Sequence, residues 1–108
     1  MKGKFDDWNK YRSDVNKIIL EYFNKVGIMA TTRALYFSFA QKILAIVRKH
    51  QDESLINKLI EGNIQYFVTA FDANEKVLRD IVKIIILAKI VKMNPDDILK
   101  EVLTQKSN

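Results

Sequence analysis

Few side chains in this sequence could do chemistry. His50 is the only histidine, and there is no cysteine. Thiol catalysis and cysteine-based zinc or iron–sulfur sites are therefore excluded. General acid–base catalysis needs a titratable group tuned within a cleft. The acidic pairs Asp6-Asp7, Asp52-Glu53 and Asp96-Asp97 all fall at expected helix starts, where carboxylates complement the helix dipole. His50 falls at the polar end of a helix, where the expected partner is the helix C-terminus. The Glu-x-x-His spacing of carboxylate metal sites in bundles is absent, and so is a glycine-rich phosphate loop. The expectation is a non-enzyme with no cofactor and no metal site.

The other chemistry available is charge. The 108 residues carry a net charge of +5, and it is uneven. Residues 1–50 hold ten Lys/Arg against four acids, a net of +6, whereas residues 51–108 hold eight against nine. A basic half favours an anionic partner. Lys17, Lys25, Arg33, Lys42, Arg48 and Lys49 are the candidate nucleic-acid-binding residues, with Tyr36 or Phe37 available to stack on a base. The alternatives are a plain solvated lysine-rich face for the cations and core packing for the aromatics. No helix-turn-helix signature is present, so sequence-specific reading of a duplex is disfavoured.

These residues must be positioned by helices. Hydrophobic residues make up 48 % and charged residues 29 %, a globular composition, and 3 Gly and 1 Pro leave little turn chemistry for an all-β fold. In a first helix, from about Phe5 to Val26, Trp8, Tyr11, Val15, Ile18, Ile19, Tyr22 and Val26 share one face, and Gly27 follows as a C-terminal cap. A second helix starts near Thr31 or Thr32, either able to cap it, and ends near Lys49. Its apolar side is wide and leaves a narrow strip of Ala34, Ser38, Gln41 and Ala45, flanked by Lys42, Arg48 and Lys49. A third helix spans about Asp52 to Phe71, with Leu55, Ile56, Leu59, Ile60, Ile64, Phe67, Val68 and Phe71 as its core face. Gly62 lies in its middle, where glycine costs about 1 kcal/mol relative to Ala; a kink, a break or close packing against a neighbour would account for it.

Asp72-Ala73-Asn74-Glu75 reads as a capping box with Asp72 as cap, opening a fourth helix that runs to about Met93. Asn94-Pro95-Asp96-Asp97 opens a short fifth helix to about residue 105. The fourth helix contains the most apolar stretch, "RDIVKIIILAKIVKM". A membrane span needs about 20 apolar residues, and here Lys83, Lys89 and Lys92 interrupt the run, so no membrane role is expected. Apolar residues point almost all round this helix. That fits a central core helix, or a helix partly exposed as a subunit interface around Ile86 and Ile90.

The stretches "MATTRALYFSFAQKIL" and "LIEGNIQYFVTAF", within about residues 28–90, resemble the small all-helical subunits of type III CRISPR effector complexes. In that family an arginine usually lies a few residues after the threonines; here Arg33 follows Thr32 directly. The resemblance implies a subunit that stacks along a guide–target duplex in antiviral defence and touches the nucleic-acid backbone without sequence preference.

The combined expectation is an all-α protein, a compact bundle of four to five helices forming a single domain over 1–108. It would be cytoplasmic, which the absence of cysteine fits, with no apolar core of a secretory signal in "MKGKFDDWNK", and would bind RNA or single-stranded nucleic acid within a ribonucleoprotein. The alternative is a protein-interaction or oligomerisation module with no nucleic-acid role.

Overall fold

The computed structural model describes the backbone of residues 4–104 and the side chains of residues 7–104 other than that of Ile90. Among the described residues there is no strand. The elements are α1 (Lys4–Val26), α2 (Ala30–Lys49), α3 (Glu53–Phe71), α4 (Glu75–Ile86), a π-helical continuation of α4 (Leu87–Val91), and α5 (Pro95–Thr104). The all-α expectation holds. The residues group into two compact units, one of Met29–Val82 and one drawn from both ends of the chain, up to Ile28 and from Lys83.

In the Met29–Val82 unit α2 packs on α3. α2 buries Tyr36, Phe39, Ala40, Ile43, Leu44 and Val47, a spacing that places them on one side. α3 answers with Ile60, Ile64 and Phe67. Phe39 meets Phe67 edge to face at 5.2 Å, the arrangement that ring quadrupoles favour. The Tyr36 hydroxyl accepts a hydrogen bond from the Asn74 N–H at 2.9 Å. Arg79 of α4 donates to both carboxylate oxygens of Glu61 at 2.7 and 3.0 Å and also to Glu75 at 2.9 Å.

Several local expectations are corrected in this unit. α2 begins at Ala30 with Met29 in the N-cap position and no side-chain cap; the Thr32 hydroxyl instead donates to the Met29 carbonyl at 2.9 Å. Asp72 does not open α4 but closes α3, in the left-handed conformation at φ 55°, and Asn74 caps α4 through its side-chain oxygen, 3.2 Å from Val77 N–H. Glu75 pairs with Arg79 instead of reaching back. Leu55 and Phe71 are exposed and are not core residues. α3 runs unbroken through Gly62, and a Cβ there would meet nothing within 4 Å.

In the unit built from the two chain ends, α1 packs with α5 and with the π-helical segment. α1 buries Val15, Ile18, Ile19, Tyr22 and Phe23, and α5 buries Ile98, Leu99 and Val102. Phe23 is a core residue that periodicity missed, and Val26, expected inside, is exposed at the helix end. Gly27 takes φ 78°, as its cap position requires, and its N–H and that of Ile28 both reach the Phe23 carbonyl at 2.9 Å. Asn94 caps α5, accepting from Asp97 N–H at 2.9 Å.

Candidate functional site

The first half of the fourth helix is the more buried: Val77, Leu78, Ile81, Ile84 and Ile85 are in the core, and Asp80, also buried, is held by Lys76 at 3.0 Å, whereas Leu87 to Lys89 are half-buried and Val91 is exposed. Ile86 is half-buried, and the Ile90 side chain lies outside the described residues. After Ile86 the helix widens into the π-helical turn. The Tyr11 hydroxyl donates to the Ile85 carbonyl beside it at 3.0 Å, an external partner of the kind that accompanies a local change in the helical ladder. Burial pushes the Tyr11 hydroxyl pKa up, so it remains a donor. The Lys89 ammonium sits 5.2 Å from the Trp8 ring centre and 5.5 Å from that of Tyr11, within cation–π range. Lys92 then ends the segment in the left-handed conformation at φ 59°.

Beside these aromatics lies an open cleft of about 250 Å³. It is lined by Asp7, Tyr11, the Lys10–Asp14 ion pair, 3.0 Å apart, and the apolar Ile18, Met93 and Ile98. It contains no histidine or hydroxyl nucleophile placed against a base. Among the described residues no group of three His, Asp or Glu side chains could hold a metal ion, and no helix is long and apolar enough to cross a membrane. His50 is the C-cap of α2, its N–H donating to the Ile46 carbonyl.

The six candidate cations fall in different places. Lys42, Arg48 and Lys49 are exposed on α2. Lys42 and Lys49, seven residues apart, share one side of the helix, with Ala34, Ser38, Gln41 and Ala45 exposed beside them. The narrow strip anticipated from periodicity is therefore the outer face of α2. Arg33 stands half-buried at the far end of that helix, and Lys17 and Lys25 lie exposed on α1, in the other unit. Tyr36 is buried and Phe37 half-buried. For Tyr36 the burial bears out core packing over base stacking.

α3 carries an outer face that sequence reading overlooked. Leu55, Gly62, Tyr66 and Ala70 are exposed there and Leu59 is half-buried. The Tyr66 ring touches Phe67 and Phe71 edge-on at 5.8 Å each. The heptad-like spacing of these residues was visible, but counting Leu55 and Leu59 with the core hid it.

Comparison with known proteins gives a family. The family model described as "Sulfolobus virus coat protein C terminal" matches residues 4–91. A protein of Sulfolobus islandicus rod-shaped virus 1 described as "Putative capsid protein" is 36 % identical over 72 residues, covering 66 % of this chain and 53 % of that protein. The chain thus spans about half the length of the curated relative it matches. No solved structure matches it. These matches overturn the resemblance to CRISPR effector subunits, and with it the expected RNA-binding function in antiviral defence. The stretches that carried the resemblance are largely the packed α2–α3 pair, and an aromatic, apolar helix pair with basic flanks records how a small helical protein fills its core, not what it binds. With the family match covering most of its length, the chain belongs to the Sulfolobus virus coat protein C-terminal family.

Proposed function

We propose that this chain is a structural, non-catalytic coat subunit that works by associating with copies of itself around a packaged nucleic acid. The observation that carries this is the coat-family match over residues 4–91. It favours the protein-interaction alternative over an enzyme or a defence component. The rod shape in the relative's source name suits a subunit whose contacts repeat without closing, since such contacts generate filaments.

The outer face of α2 supports the nucleic-acid side of this reading. Lys42, Arg48 and Lys49 are exposed there, α2 contains no acid, and small residues beside them let a helix approach closely. Phosphate contacts of this kind supply affinity without reading sequence. The test is sedimentation and electron microscopy of the purified chain over rising concentration, with and without nucleic acid. Ordered polymers are the expected result. A chain that stays monomeric throughout would defeat the proposal.

A further inference from the structure

We infer that the outer face of α3 is a contact between two copies of this chain, formed by Leu55, Leu59, Gly62, Tyr66 and Ala70; this rests on the coat reading above. The positions recur at spacings of four, three, four and four residues, which places them along one side of a helix. They lie away from the side that buries Ile60, Ile64 and Phe67. Tyr66 is 57 % exposed and Leu55 39 % exposed, so the face is apolar and open in the single chain.

Gly62 lies at the centre of this stripe. It sits in the middle of an unbroken helix, and a Cβ at this position would meet nothing within 4 Å. Neither a turn nor a close contact within the described chain uses its small size. Glycine disfavours a helix interior, and what it permits is the close approach of another group to the backbone.

Three features identify that group as a second copy. The stripe is close to self-complementary: Leu59 and Tyr66 stand on either side of Gly62, with Leu55 and Ala70 beyond. A two-fold, antiparallel pairing would set Leu59 against Tyr66 of the partner subunit, and the reverse, with the glycines at the crossing. The stripe bears no charge, so its own copy covers it without burying an ion. The same pairing across the α2 strip would oppose Lys42, Arg48 and Lys49 to their own copies, a like-charge arrangement that is repelled. Finally, the area is modest. Leu55 to Ala70 spans about 23 Å of helix, and a single helix contact of that length falls well short of the roughly 800 Å² per partner of a standard stable interface. The contact therefore suits reversible assembly, as one of several that a coat subunit makes; being two-fold, it joins copies in pairs and needs a second contact to extend them.

The chain has no cysteine, so each cysteine variant carries a single reporter thiol, and Gly62 itself is left in place. In a glutathione redox buffer, under conditions where the wild type assembles, an equal mixture of Leu59→Cys and Tyr66→Cys chains should form mixed disulfide-linked dimers on the order of tenfold or more faster than Ala45→Cys chains form dimers through α2, because the antiparallel contact sets the two thiols opposite each other and raises their local concentration. Tyr66→Arg should raise the protein concentration needed for assembly while leaving the helical content of the dispersed chain unchanged. If the wild type assembles but the Leu59→Cys and Tyr66→Cys mixture cross-links no faster than Ala45→Cys, the α3 contact is wrong and the coat reading stands. If the wild type never self-associates, both fall.

Discussion

Tyr11 shows how much one side chain can settle locally. Its hydroxyl holds the Ile85 carbonyl where α4 passes into the π-helical turn, and its ring, with that of Trp8, underlies the Lys89 ammonium. Tyr11→Phe should cost about 1 kcal/mol, the usual contribution of such a hydrogen bond, read as a lower denaturant midpoint at unchanged slope. Asn94→Ala should cost a similar amount, about 1 kcal/mol, by removing the α5 cap. The Arg79–Glu61 pair makes a smaller, pH-dependent contribution. Its hydrogen bond to Arg79 holds the Glu61 carboxyl below the usual carboxylate range. Because the folded value is depressed, the contribution is present above the unfolded value of about 4.3 and disappears as pH falls through the folded one. Both partners are about half exposed, so well under 1 kcal/mol is at stake; Glu61→Gln should lower stability slightly at neutral pH and leave it unchanged below the folded value, flattening the pH dependence on the acid side.

At the scale of elements, Gly62 supplies the sharpest contrast. Gly62→Ala should stabilise the dispersed chain by about 1 kcal/mol, because an open mid-helix site gains helix propensity with nothing to clash against, and should at the same time weaken assembly by holding two α3 helices apart. Thermal unfolding of the dispersed chain and the assembly threshold, measured side by side, read the two effects; a variant that assembles as well as the wild type would count against the glycine crossing. Helices α1, α3 and α5 were legible in the sequence because apolar spacing and caps agree there: Gly27, Asp52 and Asn94 all sit at the ends they were expected to mark. α2 was legible from its apolar spacing alone, since neither threonine caps it. The failures came where one residue type serves two ends. Asp72 tolerates the left-handed conformation as readily as it caps, and the chain used it to close α3 while Asn74 opened α4. The π-helical turn has no local signature at all, since Leu87–Val91 reads as ordinary helix. The Tyr11 bond from 74 residues away marks the place, and only the fold brings the two together.

At the scale of the whole molecule, function was far less legible than fold. A basic half and an apolar fourth helix are compatible with a nucleic-acid subunit in defence or in a coat, and residue types alone cannot separate the two. The six cations also looked like one surface in sequence, whereas Lys42, Arg48 and Lys49 share α2 and Lys17 and Lys25 belong to another unit. If the α2 strip touches packaged nucleic acid, Lys42→Glu with Lys49→Glu should weaken binding across all sequences and reduce the salt slope by roughly 0.9 for each phosphate that is no longer neutralised, measured by fluorescence anisotropy over a salt series. An unchanged slope would remove α2 from that role. The claim on which all of this depends is self-assembly, and analytical ultracentrifugation of the purified wild-type chain over a wide concentration range tests it most directly. A self-assembling coat subunit should rise with concentration from monomer through small oligomers to large assemblies; a single sedimenting monomer at every concentration would rule self-assembly out.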